Sequence, residues 1–355
     1  MSSRSVVSIQ KASYDSLDVD ALLAPLGGMG AFVHRGQRVL LKVNLLRVSR
    51  PEQAVVTDPR LVRRVAESVL RVGGTPFIGD SPAGPFTKGS LTRVYRMAGL
   101  FDVSRELGIE LNFDTRVEKV PVPGGKRVSM LSVCSFARDA DVVVSLPKIK
   151  THNFQILTLA VKNMFGVVSG LSKARLHSTN LRKAAFADML LDVLGVMPPS
   201  VSIVDGVVGM MGEGPGVSGT PVPVGVVLAG VDAVGVDVSV CRLLGVEPMR
   251  VPVLRAARVR GLWPGEVVYP LLRPEDVLVR GFVLPKTASQ LVAGARWVPR
   301  VSERCSGCGA CVRVCPAGAM QLRGGRAVVD VSRCVRCYCC DEVCGEGAIV
   351  LEEIS

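Results

Sequence analysis

Short, almost wholly apolar runs alternate along this chain with amphipathic ones, and the two patterns predict different elements. "RVLLKVNLL" (38–46) is a brief run rich in Val and Leu and reads as a buried strand. The stretch "TDPRLVRRVAESVLRVGG" reads as a helix: Thr57 or Asp58 can cap it, Pro59 suits its first turn, and Gly73 and Gly74 stop it. "TPFIGD" (75–80), "DVVVSLP" (141–147), "VSIVDG" and "VPVGVVLAG" (222–230) repeat the buried-strand pattern. "QILTLAVKNMF" (155–165) is apolar on nearly every side and reads as a buried helix. Apolar strands spaced by helices predict an α/β fold, with a largely parallel sheet covered by helices on both faces. That domain is expected over residues 1–283, followed by a linker at 284–300 and a small α+β module at 301–355.

Composition agrees with a globular chain of two domains: 355 residues, 48% hydrophobic and only 5% aromatic. The longest membrane candidate, 222–245, is broken by Asp232 and Asp237, so no spanning helix is expected. "MSSRSVVSIQKASYD" has neither a long apolar core nor a small-residue cleavage site, and a cytoplasmic location is expected. The formal charge is +12. Eight cluster thiolates and two oxidised cubane cores would lower it to about +8. A surplus of that size suits an acidic partner or an anionic metabolite. The Arg and Lys are dispersed and aromatics are scarce, so nucleic-acid binding has little support.

The cysteines carry the most specific signal. "CSGCGACVRVCP" places Cys305, Cys308, Cys311 and Cys315 in a C-x2-C-x2-C-x3-C-P run, and "CVRCYCCDEVCG" repeats the spacing with Cys334, Cys337, Cys340 and Cys344. Three thiolates on one tight loop hold three irons of a cubane, and the fourth Cys of each run crosses to the other cluster. The expected ligand sets are therefore Cys305, Cys308, Cys311 and Cys344 for one [4Fe-4S] cluster, and Cys334, Cys337, Cys340 and Cys315 for the other. Zinc sites more often show paired C-x2-C steps, and disulfides are rare in the cytoplasm. The module resembles bacterial-type two-[4Fe-4S] ferredoxins over 301–352. It departs from them at Gly345, where the family has a proline, and at Cys339, an extra thiol beside Cys340. Cys134 and Cys241 read as core residues.

In the large domain, chemistry-bearing residues fall where strands are expected to end. Lys42 and Asn44 share a strand face, Asp80 and Ser81 follow the next strand, and Lys148, Lys150, Thr151 and His152 follow a third. Asp205 follows a fourth, with Glu213 in a Gly-rich loop beyond it. In open parallel sheets ligands bind outside the carboxyl ends of the strands. Asp80 and Ser81 equally suit a helix cap, Asp205 a turn, and Lys148 and Lys150 a solvated strand end. Lys162 and Asn163 sit in the apolar run, and a buried Lys requires a carboxylate, a phosphate or a solvated pocket. His152 and His177 flank that run as an acid–base or metal pair, or as structural residues. No G-x-G-x-x-G directly follows an expected strand, and no P-loop or nucleophile-elbow motif is present, so dinucleotide binding and P-loop chemistry lack support.

The motifs "LLKVNLL", "GDSP", "LPKIKTH", "LAVKNMFG" and "VDGVVGMMGEGP", in this order ahead of a two-cluster module, are similar to domain-of-unknown-function family 362, iron–sulfur proteins of bacteria and archaea. The resemblance implies an α/β domain fused to a ferredoxin and supplies no substrate. The expectation is an iron–sulfur oxidoreductase. Lys42, Lys148, Lys150 and Lys162 neutralise a small anion; Asn44, Asp80, Ser81, Thr151, Asn163 and Glu213 orient it; His152, Asp205 and Lys162 serve catalysis. A flavin would have to bind without a readable motif. The alternatives are a carrier whose α/β domain docks a redox partner protein, and a redox-sensing regulator.

Overall fold

The computed structural model describes residues 4–289 and 296–354. Strands β1 (Arg4–Lys11), β2 (Arg38–Lys42), β3 (Thr75–Gly79), β4 (Glu110–Leu111), β7 (Val142–Ser145), β10 (Val201–Gly212), β11 (Gly219–Gly230) and β12 (Glu266–Val268) form one sheet in the order β12-β1-β11-β10-β7-β2-β3-β4. Along this path every pairing is parallel except those of β11, which runs against both β1 and β10. A separate ribbon pairs β5 (Val117–Pro121) with β6 (Met130–Cys134).

The apolar runs are explained by the two faces. Val39 and Leu41 of β2 join one core with Ile78, Val144 and the helix Pro59–Arg71, whereas Leu40, between them, joins the other with Phe77, Val143 and the helix Lys183–Val196. Alternate side chains point to opposite faces, so a strand covered on both sides is apolar at every position. The helix Pro59–Arg71 starts as its residues dictate: Asp58 accepts from the Arg60 amide, and Pro59 occupies the first turn. Gly73, at φ +83°, ends it where a side chain would be strained. Thr57 has another task, donating to the Leu146 carbonyl and accepting from the Asn44 amide.

Two expectations are corrected. The segment Lys148–His152 is not a loop but a strand, β8, pairing with β10. β7 stops at Ser145, β10 continues for ten residues beyond its pairing with it, and β8 takes up part of that edge. The run 155–165 is not one helix. Ile156–Thr158 forms strand β9, which folds back on β8 with His152 opposite Ile156 and Lys150 opposite Thr158. Only Ala160–Asn163 is α-helical, followed by a 3-10 turn over Met164–Val167. The segment expected as a linker, 284–300, is described in part. Thr287 is buried and donates to the Asn153 carbonyl, and β13 (Arg296–Val301) already belongs to the module. The part of that linker at 290–295 lies outside the described residues.

In the module, β13 pairs with β16 (Ile349–Ile354), and β14 (Met320–Arg323) pairs with β15 (Arg326–Val329). The short helices Ala310–Val314 and Cys339–Val343 lead from the two cysteine runs. Tyr338 buries its ring in the core of the large domain, edge-on to Phe154.

Candidate functional site

At the carboxyl ends of β2, β3 and β7, Lys42, Gly79 and Ser145 lie in register. The residues just beyond them enclose a cavity of about 120 Å³. Asn44, Asp80 and Ser81 come from the strand ends. Lys150 and Thr158 come from the β8–β9 hairpin, Lys162, Asn163 and Phe165 from the turn after it, and Gly170, Lys173 and His177 from the helix Gly170–Thr179. The module closes the remaining side with Arg313, Val314, Cys339, Glu342 and Val343.

Of the predicted residues, Asn44, Asp80, Ser81, Lys150, Lys162 and Asn163 line this cavity. Lys42, Lys148, Thr151, His152, Asp205 and Glu213 stand behind it. Lys42 is fully buried against Asp80, 2.9 Å away. Lys148 donates to Asp205 and to the Tyr14 hydroxyl, both at 2.8 Å, and that hydroxyl donates to the other Asp205 oxygen. Thr151 accepts from the Gly214 amide, and Glu213 from the Lys286 amide. His152 Nδ1 accepts from the amides of Phe154 and Gln155, so its one proton sits on Nε2, 3.1 Å from Glu342 Oε1. Burial pushes His152 down to about 3, and the imidazole is neutral.

The electrostatics of the lining are uneven. Lys150, Lys162 and Lys173 have no carboxylate within ion-pair distance among the described residues. Lys150 Nζ is held by the Val55 carbonyl alone, at 2.6 Å, and burial lowers it to about 7. Lys173 donates to the Ser81 carbonyl, and burial lowers it to about 8. Lys162 is also lowered by burial, with Glu342 opposing. Lys162 and Lys173 lie 6.0 and 5.9 Å from the centre of the Phe165 ring. Burial pushes Glu342 up, but His152 and Lys162 outweigh it and hold the carboxyl below its ordinary range. His177 packs against Phe186 at 4.4 Å, and burial lowers it to about 4.

Neutral groups complete the lining. Asn44 donates to Asn163 Oδ1, and Asn163 donates to the Lys42 carbonyl and to Ser145 Oγ. This chain fixes the orientation of both amides and leaves Asn44 Oδ1 without a partner. Ser81 Oγ, Thr158 Oγ1 and His177 Nδ1 are likewise buried and unpartnered. Sequence reasoning missed Lys173, Thr158 and Glu342. Lys173 lies on a helix of no marked polarity, and Glu342 lies between cysteines that drew all the attention.

The module presses its second cysteine run against this site. Cys315, Cys334, Cys337, Cys339 and Cys340 line one small pocket, next to the cavity that Cys339 also lines. The donor set suits an iron–sulfur core. The amides of Ala319, Ala327 and Ala348 donate to the sulfurs of Cys315, Cys305 and Cys344 at 3.2, 3.4 and 3.2 Å. Amides of Ala327 and Gly307 hold the Cys305 thiol below its ordinary value, toward the thiolate that binds iron. At Gly345, the departure from the ferredoxin pattern, a Cβ would lie 2.8 Å from Arg47 Nη2, the end of a flexible side chain that donates to the Cys344 carbonyl across the domain boundary.

Comparison with known proteins places this architecture. No helix among the described residues is long and apolar enough to cross a membrane. A thylakoid-associated protein of Synechocystis is 35% identical over 311 residues, spanning 84% of this chain and 92% of that protein. Among solved structures, the lactate racemase apoprotein of Thermoanaerobacterium thermosaccharolyticum shares 16% identity at a TM-score of 0.37, covering 56% of this chain and 50% of that one. A Thermotoga maritima protein shares 10% at a TM-score of 0.33, over 57% and 52%. The model for the domain of unknown function DUF362 matches residues 39–242, and that for a 4Fe-4S binding domain matches 298–321. The chain belongs to the DUF362 family and carries a C-terminal 4Fe-4S binding domain.

Proposed function

We propose that the protein is an iron–sulfur oxidoreductase whose large domain binds a small anionic substrate or cofactor in the cavity beside the module. One observation carries this reading: three lysines without carboxylate partners and the thiol next to Cys340 line the same cavity. We assign one [4Fe-4S] cluster to Cys305, Cys308, Cys311 and Cys344, and a second to Cys334, Cys337, Cys340 and Cys315. When bound, such clusters supply single-electron transfer. The chain's own residues do the rest. Lys162 and Lys173 neutralise the anion, Asn44 and Ser81 orient it, and the module's Val314 and Val343 help exclude water. Lys150 exchanges a proton near neutrality, the range where general acid–base catalysis is most effective. His152 and Asp205, expected to be catalytic, are assigned positioning roles, since neither lines the cavity.

The second reading is a non-catalytic carrier. Cys308 is exposed and its carbonyl accepts from the exposed Arg313, a face suited to an acidic redox partner. A cytoplasmic site, where thiols stay reduced, remains our assignment. The association of the Synechocystis relative with thylakoids makes a membrane surface the alternative.

The test is made anaerobically on iron-loaded protein. The clusters are reduced and their visible absorbance is followed while phosphorylated and carboxylated metabolites are added singly, with and without flavin. Stoichiometric reoxidation by one class is expected. Reoxidation by none of them, but by a partner redox protein, rejects the enzyme in favour of the carrier.

A further inference from the structure

The lining of the cavity bears on the kind of anion it would hold. Its charged lining is lysine, apart from Asp80, already paired with Lys42, Glu342, and Arg313, which is exposed and donates to the Cys308 carbonyl. Arginine's planar fork grips carboxylate and phosphate alike, whereas lysines act as point charges that fix the ligand's total charge rather than a planar geometry. With all three ammonium groups protonated, Lys150, Lys162 and Lys173 set against Glu342 leave two positive charges, which a dianion balances and whose binding would hold the proton on Lys150. The ten-residue helix Gly170–Thr179 adds the positive end of its dipole, with Gly170 in the wall.

The buried neutral groups say more. Ser81 is 1% exposed, Thr158 3% and His177 4%, all three line the cavity, and among the described residues Ser81 Oγ, Thr158 Oγ1 and His177 Nδ1 have no hydrogen-bond partner. Such groups cost stability unless a ligand or water pairs them. Asn44 Oδ1, with no partner among the described residues, can only accept, and a ligand hydroxyl would satisfy it. The cavity is about 120 Å³. That is an order of magnitude above the roughly 10–15 Å³ needed for one water, and corresponds to a ligand on the order of ten non-hydrogen atoms. Leu45, Leu46, Phe165 and Val343 supply an apolar remainder.

From this we infer that the cavity takes a small hydroxylated phosphomonoester, its dianionic head among Lys150, Lys162 and Lys173 and its hydroxyl on Asn44. The inference rests on the oxidoreductase reading only for its purpose; binding itself is independent of electron transfer.

The experiment is calorimetric titration of the full-length, iron-loaded protein with glycerol 3-phosphate, inorganic phosphate and malate. Glycerol 3-phosphate is expected to bind at least about tenfold more tightly than either of the others. Thr158→Val, nearly isosteric, should weaken it about tenfold, and Lys162→Met should abolish it, both at unchanged iron content. Malate binding as tightly as the phosphomonoester overturns the inference, as does the absence of any phosphomonoester binding or indifference to both substitutions. The two proposals fail separately. A phosphomonoester that binds without reoxidising reduced clusters leaves this inference standing and removes the oxidoreductase reading. A carboxylate that binds and reoxidises them does the reverse.

Discussion

Lys150 differs from Lys42 and Lys148 in lacking a carboxylate. Lys42 has Asp80 and Lys148 has Asp205, and both pairs are fully enclosed. Removing one partner of such a pair leaves a buried charge uncompensated, so Lys148→Met should cost about 3–5 kcal/mol, read as a lower denaturation midpoint. Lys150→Met should do the opposite. Burial lowers the Lys150 ammonium to about 7, while Lys162 and Lys148 repel it and Glu342 and Asp80 attract it. The unfolded chain therefore holds a proton that the folded one gives up between about 7 and the ordinary lysine value near 10.5. The penalty is complete below about 7 and fades as pH rises. Lys150→Met should thus raise the midpoint at pH 6 and leave it nearly unchanged at pH 10, with the gain at pH 6 amounting to a few kcal/mol at most, as about 1.4 kcal/mol per pKa unit allows. Thermal scans of both proteins at the two pH values check the sign. Which of the lysines would stay unpaired was not legible in "LPKIKTHNFQILTLAVKN", because their partners lie far away in sequence or do not exist.

At the level of elements, the short helix Ala160–Asn163 is too brief to stand on its own propensity. Its first amides, of Ala160 and Val161, donate to the carboxyl of Asp237 at 2.7 and 3.2 Å. That residue lies on another helix, Ala233–Leu243, and it fixes where Lys162 and Asn163 emerge. Asp237→Ala should lose about 1–3 kcal/mol for two unpaired amides and weaken the thermal stabilisation by ligand, with iron content unchanged. Equal ligand response in variant and parent removes the positioning role. In the sequence, Asp237 served only to argue against a membrane span. Its second meaning depends on a contact between elements more than seventy residues apart. The hairpin β8–β9 was misread as loop and helix for a related reason. An apolar run of that length has the same period-free pattern in a buried strand and in a buried helix, and the exposed edge of β10 decided between them.

On the scale of the whole molecule, the module is part of the site. Tyr338 enters the large core, Asn153 donates to Asp341 at 2.8 Å, and Glu342 faces His152. Removing the iron by chelation should therefore loosen more than the module. Amide hydrogen exchange is expected to accelerate in Lys148–Thr158 and in Gly170–Thr179, while β2 and β3 keep their protection. Unchanged exchange in the hairpin would show that the two domains are energetically independent.

The spacing of the cysteines, the apolar strands and the caps around Pro59 are local properties, each visible within a few residues, and from them the α/β sheet and the iron–sulfur module follow from the chain alone. The approach of Asn44 to Ser81 was readable too, because parallel strands bring their carboxyl ends together. Three-dimensional packing settled the rest: it buried Lys42 and Lys148 in pairs, drew Lys173 and Glu342 into the lining, and laid the module over the strand ends. Those outcomes depend on burial and on distances between residues remote in sequence, and the charge of a lysine acquires its role only once its neighbours are known.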